Sequence, residues 1–321
     1  MVELPEIDPR RLRVLKPLDR GGISRVYVAY DEELNREVAL KQLRRRYADQ
    51  PRSRSRFLFE AEVTAGLEHP GVVPVYGVGR FGDGRIFFTM RLIRGESLRE
   101  AIRRSHRPDR PKGKSTELRL LLDRLVDVCY TVAYAHDRGV IHRDLTPGNI
   151  MLGVHGETLV IDWGLAKPFG LPSPTDEGDP APEAPWPVSS RNLPVTRHGH
   201  TCGTTWYMSP EQASGRPDRL RPATDVYTLG ATLYMVLTGL APFDGSDEDE
   251  VQKRVQRGDF EPPRRVDRKI APALEAICLK AMEMEPENRY ASPLDLGDDI
   301  ACWLARRPVT ASRDRVARPA V

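Results

Sequence analysis

The sequence predicts an α+β fold in two lobes, a small β-rich lobe with one main helix followed by a larger, mostly helical lobe. Three observations carry this expectation. The 321 residues exceed the ~150 that a typical domain uses, which suggests two domains or one domain with two lobes. A composition of 40% hydrophobic and 30% charged residues excludes fibrous and disordered classes. Short β-rich runs dominate before Gly95, and helical spacing dominates after it.

In chain order, residues 1–11 read as an N-terminal tail, 12–93 as the first lobe, 94–305 as the second and 306–321 as a basic C-terminal tail. Between Val14 and Lys41, β-rich runs at Arg25–Tyr30 and Glu37–Leu43 are separated by Gly-Gly and by Asp-Glu-Glu-Leu-Asn, the pattern of antiparallel strands and turns. Arg56–Leu67 then places Phe57, Ala61, Thr64 and Ala65 on one helical face, and Val72–Val78 and Arg85–Ile93 read as further strands. In the second lobe, Leu118–Ala135 carries apolar residues at helical spacing. The basic Arg103–Lys114 stretch and the Pro-rich segment 168–194 are too polar to bury and are expected to be flexible insertions.

A net charge of +3 is too near balance to point to a polyanion partner. The Arg103–Lys114 charges lack interleaved aromatics, so no nucleic-acid site is expected. Cys129, Cys202, Cys278 and Cys302 form no C-x-x-C pair, which fits reduced cytosolic thiols better than zinc or disulfides. Met1–Arg13 has no apolar signal region, so a cytoplasmic location is expected. Val226–Phe243 is uncharged over 18 residues, the lower edge of a membrane span, but its glycines, threonines and flanking Asp225 and Asp244 favour a buried core helix.

The chemistry is concentrated in a few ordered motifs. His142-Arg143-Asp144-Leu145-Thr146-Pro147-Gly148-Asn149 is followed thirteen residues later by Asp162-Trp163-Gly164. Two carboxylates and a carboxamide on adjacent loops supply one base and two oxygen ligands for Mg²⁺. Upstream, Val38-Ala39-Leu40-Lys41 is a strand ending in lysine, and Glu60 lies nineteen residues beyond it on the predicted helix. A buried Lys41–Glu60 pair would present an ammonium to phosphates; a shifted helix register would offer Glu62 instead.

These motifs, in this order, resemble a eukaryotic-like Ser/Thr protein kinase of the bacterial type, over roughly Leu12–Leu304. Gly203-Thr204 through Ser209-Pro210-Glu211 is similar to the end of a kinase activation segment, Asp225–Gly230 to the start of the family's buried core helix, and Pro286–Tyr290 to a late motif whose Arg289 would pair with Glu211. The resemblance implies a bilobal protein-kinase-like fold and an ATP- and Mg²⁺-dependent transfer to Ser or Thr hydroxyls of proteins, including the chain itself through a transient homodimer.

By the same resemblance, Asp144 would accept or orient the hydroxyl proton, Lys41 would anchor the α- and β-phosphates, and Asn149 and Asp162 would hold magnesium. Leu18, Gly21, Gly22 and Ser24 would form the phosphate loop. Val26, Ala39, Met90 and Met151 would enclose the adenine, with Arg91 and Ile93 hydrogen-bonding its edge. Arg143 suggests control by a phosphate on the activation segment, for which Thr196, Thr201, Ser189 and Ser190 are the candidates. Cys202 lies beside them.

Several positions depart from the family pattern. Asp19 and Ser24 stand where the phosphate loop has its first and third glycines, and Thr146 stands where a lysine contacts the transferring phosphate. Glu211 lies 49 positions after Asp162, and Gly148 offers no carboxylate to a basic substrate residue. These departures define the alternative: a kinase-fold pseudoenzyme or scaffold that binds nucleotide or partner proteins with weak transfer.

Overall fold

The computed structural model describes residues 4–6, 8, 10–19, 22–107, 114–169 and 205–312. They form two compact units, one built on the residues up to Arg94 with Asp162–Ala166, the other on Gly95–Ile161, 167–169 and the residues from Thr205 onward. The first is β-rich with one long helix and the second mainly helical, the bilobal α+β architecture that the sequence predicts.

The first unit comprises β1 (Leu12–Asp19), β2 (Ser24–Asp31), β3 (Arg36–Leu43), α1 (Pro51–Gly66), β4 (Val75–Arg80) and β5 (Ile86–Arg91). The strands form one antiparallel sheet in the order β1-β2-β3-β5-β4. In the β2–β3 turn, Asn35 takes a positive φ of 49°, and the Asp31 carboxylate accepts from the amides of Glu33 and Leu34 at 3.1 and 3.2 Å. Leu12, Ala29, Val38, Leu40 and Phe87 form one apolar cluster. Leu43, Ile86 and Phe88 form another with Phe57 and Ala61 of α1, whose Phe57 ring lies 5.2 Å from that of Phe88.

Helix α1 begins five residues before the predicted Arg56. Pro51 occupies its first turn, where a missing N–H costs nothing, and the Arg/Ser run behind it has no apolar period to signal a helix. Ala65 is exposed rather than inward; Phe59, Glu60 and Val63 widen the buried face beside Phe57, Ala61 and Thr64. The strand expected from Val72 starts at Val75, directly after Pro74, while Val72 and Val73 are buried outside it. The strand expected to reach Ile93 ends at Arg91.

The second unit contains β6 (Gly95–Ser97), α2 (Leu98–Ser105), α3 (Lys114–Asp137), β7 (Val140–Ile141), β8 (Ile150–Gly153), β9 (Thr158–Val160), β10 (Lys167–Pro168), α4 (Pro210–Ala213), α5 (Pro222–Thr238), α6 (Glu248–Arg257), α7 (Pro263–Val266), α8 (Pro272–Ala281) and α9 (Pro293–Leu304). The uncharged run is α5, buried continuously from Thr224 to Leu237 among α3, α8 and α9. Gly239, at φ 78°, terminates it in the left-handed conformation, so Leu240–Phe243 lie beyond the helix. Among the described residues no helix is long and apolar enough to cross a membrane.

The expected flexible stretch Arg103–Lys114 is helical at both of its ends. Arg103 and Arg104 complete α2, whose start is fixed by a Ser97–Glu100 capping box, and Lys114 opens α3; residues 108–113 lie outside the described residues. The first residues of the basic tail, as far as Ala311, pack against the second unit. Val309 and Ala311 are buried, and the Asp299 carboxylate accepts from Thr310 N at 2.7 Å, Thr310 Oγ1 at 2.8 Å, Ala311 N at 3.0 Å and Tyr290 Oη at 2.7 Å. Of the Pro-rich segment, only Pro168 and Phe169 fall within the described residues.

Candidate active site

Strand β3 brings Lys41 to the face of the sheet that α1 covers. Register places Val26 and Phe88 on either side of Lys41, with Val28 and Met90 flanking Ala39, so these residues share one face. The Lys41 Nζ is ion-paired with Glu60 Oε1 and lies 3.4 Å from Asp162 Oδ1. Lys41 and Glu60 side chains are only 11% and 10% exposed, whereas Glu62 points to solvent.

Burial opposes the charge on Lys41, but Asp162 and Glu60 outweigh it and raise its pKa, which keeps the ammonium charged. Burial raises the Glu60 pKa, Lys41 pulls it down, and the negative charge of Asp162 helps to leave it above its ordinary range. Such a pair gains little net stability, because desolvation offsets most of the attraction. What it achieves is a cation held in one place.

Asp162 adopts a left-handed backbone, φ 63° and ψ 64°, rare for a residue with a Cβ and a local strain of ~1–3 kcal/mol. Its side chain remains 49% exposed. Gly164 makes room for it: a Cβ there would sit 3.1 Å from Asp162 Oδ1 and 3.2 Å from Glu60 Oε2. The Gly164 carbonyl accepts from Arg56 Nε at 3.1 Å, tying this turn to α1.

In the second unit, the segment from His142 to Asn149 is held from several sides. Arg143 has φ 70°, and the buried Asp225 carboxylate accepts from the amides of His142 and Arg143 at 2.8 and 2.7 Å and from His136 Nε2 at 2.8 Å. Burial pushes the Asp225 pKa up, but the hydrogen bond and charge of His136, with help from His142, bring it below its ordinary value. Gln212 Nε2 donates to Arg143 O and Thr232 Oγ1 to Leu145 O, both at 2.8 Å.

The result is a fixed Asp144. Asn149 Nδ2 donates to Asp144 Oδ2 at 2.9 Å and to its carbonyl at 2.8 Å, leaving the Asn149 amide oxygen as an acceptor for another partner. Thr146 is buried, and its carbonyl accepts from Asn149 N at 2.9 Å. Arg289 closes the lower end: its guanidinium binds both Glu211 oxygens, at 2.8 and 2.9 Å, with both side chains buried. Lys167 has its pKa lowered, first by burial and then by the Arg143 charge, against the opposing charge of Asp218.

Of the remaining expected site residues, Ala39 and Ser24 are buried, Val26, Met90, Arg91, Ile93 and Met151 half-buried, and Leu18 and Gly22 exposed. Gly21, Thr204, Thr196, Thr201, Ser189, Ser190, Cys202 and the side chain of Asp19 lie outside the described residues. Sequence reasoning missed His136, Gln212 and Thr232. Gln212 carried a signal, the Ser209-x-x-Gln212 capping box at the start of α4; the other two carried none.

The profile described as "Protein kinase domain" matches residues 12–295. The chain belongs to the protein kinase family. It is 34% identical over 303 residues to the serine/threonine-protein kinase PknD of Protochlamydia amoebophila (strain UWE25), covering 92% of this chain and 30% of that protein. It is similar also to the serine/threonine-protein kinases PknD of Chlamydia pneumoniae (34% identical; 93% of this chain, 31% of that one) and Chlamydia felis (34%; 93% and 32%). This kinase domain therefore spans about a third of the length of those relatives.

Proposed function

We propose that this kinase domain transfers the γ-phosphate of ATP to serine and threonine hydroxyls of proteins, itself included through a transient homodimer. The observation that carries the proposal is Lys41, a buried ammonium kept charged between Glu60 and Asp162. In this reading Lys41 binds the α- and β-phosphates. Asp144 accepts or orients the proton of the substrate hydroxyl, and the Asn149 contact fixes the carboxylate that does so.

The donor types suit magnesium. Asp162 offers a carboxylate and Asn149 an amide oxygen whose nitrogen is engaged by Asp144, and Mg²⁺ takes one or two protein oxygens with phosphates and waters. Bound there, the ion would neutralise phosphate charge during transfer. Leu18, Gly21, Gly22 and Ser24 would cover the phosphates, and Val26, Ala39, Met90, Arg91, Ile93 and Met151 would hold the adenine. Arg143, beside the base, would be the cation that captures a phosphate from Ser189, Ser190, Thr196 or Thr201. We place this activity in the cytoplasm, where ATP is supplied and the buried thiols of Cys129 and Cys278 stay reduced.

The test is phosphate transfer from ATP with Mg²⁺ to a Ser/Thr-containing protein, followed by phosphoamino-acid analysis. Phosphoserine or phosphothreonine should form with wild type and not with Asp144→Asn or Lys41→Met. Equal transfer by Asp144→Asn would overturn the assignment of the base.

A further inference from the structure

Arg99 and Arg103 lie one turn apart on α2, an i,i+4 pair on one face. The Arg99 guanidinium rests on the backbone of the catalytic segment: a Cβ added to Gly148 would lie 3.2 Å from its Nη2, 3.3 Å from its Cζ and 3.5 Å from its Nε. That Nε is buried and, among the described residues, has no hydrogen-bond partner. The neighbouring acids on this stretch have partners of their own, and Glu100 also feels the charge of Arg103. Glu100 accepts from Ser97 N and Oγ, both at 2.8 Å, and Glu96 is bound to Arg104.

Both arginines also act on Tyr207, whose burial raises its phenol pKa while the charges of Arg99 and Arg103 pull it down. Arg99 thus lies against a glycine that precedes Asn149, the residue bonded to Asp144. An acid at position 148 would neutralise Arg99; glycine leaves the charge available. A guanidinium in this setting is a fork suited to two carboxylate oxygens.

We propose that Arg99 is a specificity determinant that selects protein substrates with an Asp or Glu close to the phosphoacceptor. The proposal rests on the kinase reading above.

The experiment uses the full chain with ATP and Mg²⁺ on matched Ser peptides carrying Asp, Ala or Lys in turn at each flanking position. Wild type should favour Asp over Ala by about tenfold in kcat/KM at one position, the scale of a charge-assisted hydrogen bond. Arg99→Gln should bring that ratio near one, and Arg99→Glu should place Lys above Asp. Because each ratio is taken within one variant, loss of folded protein does not imitate the result. An unchanged ratio in Arg99→Gln overturns the proposal, as does an equal fall on Asp and Ala peptides, which would assign Arg99 to the fold or to transfer itself. Absence of transfer to every peptide and to the chain itself would instead remove the kinase reading beneath it.

Discussion

Replacing Arg289 by alanine tests the energetics of the second unit most sharply. Its side chain is fully buried. Besides the two-pronged bond to Glu211, it donates to the carbonyls of Glu283 at 2.8 Å, Ala223 at 2.8 Å and Met284 at 3.0 Å, and its guanidinium lies 5.0 Å from the Tyr227 ring centre. Alanine would leave the Glu211 carboxylate buried with only Thr224 Oγ1, at 3.0 Å, among these partners. Breaking a buried pair in this way costs about 3–5 kcal/mol. With a urea slope near 3 kcal/mol/M, the unfolding midpoint should fall by roughly 1–2 M. The assay is urea unfolding followed by tryptophan fluorescence, with Glu211→Leu/Arg289→Met alongside. The double variant should recover part of the loss, because it removes both buried charges. A loss below about 1 kcal/mol in Arg289→Ala, the range of an exposed pair, would refute the reasoning.

Three further outcomes follow from the same packing. Gly230→Ala should destabilise by about 1–3 kcal/mol despite the better helix propensity of alanine, since the new Cβ would lie 2.8 Å from both Ala281 Cβ and Met282 Cγ where α5 meets α8; a higher melting temperature would contradict this. Asp299→Ala, or a chain ending at residue 305, should lower the melting temperature, because the bonds to Thr310, Ala311 and Tyr290 are lost; an unchanged value would show that the segment contributes nothing. For pH the sign is set by Glu211, Asp225 and Asp299. Burial raises each pKa, but Arg289, His136, and the Thr310, Ala311 and Tyr290 bonds respectively outweigh it and leave the folded values low. Their stabilisation is therefore complete above the unfolded pKa of about 4 and lost as pH falls through the lower folded values. The melting temperature should drop below about pH 4, and less steeply in Arg289→Ala; an equal slope in that variant would contradict the role given to Glu211.

What the sequence made legible is what periodicity and ordered motifs encode. Alternation and turn residues located β2 and β3, and the uncharged run in α5 was readable as core because its threonines and glycines suit a packed helix better than a lipid-facing one. The start of α1 was hidden because Arg52–Ser55 carries no apolar period, and α2 absorbed charges that looked like loop. Least legible were contacts between residues far apart in sequence. Nothing in the local pattern announces that His136 and the His142 and Arg143 amides converge on Asp225, that Asp162 takes a left-handed backbone, or that Asp299 gathers Thr310 and Ala311. These depend on tertiary placement, which local propensity does not encode.

The most direct test of the central claim is the intact mass of purified chain, made with a phosphatase that is then removed, before and after incubation with Mg²⁺ and ATP. Wild type should gain whole phosphate masses, mapping to Ser189, Ser190, Thr196 or Thr201, while Asp144→Asn gains none. No added mass in wild type, with ATP still raising its melting temperature, would contradict transfer and leave a nucleotide-binding domain with Thr146 as the suspected cause.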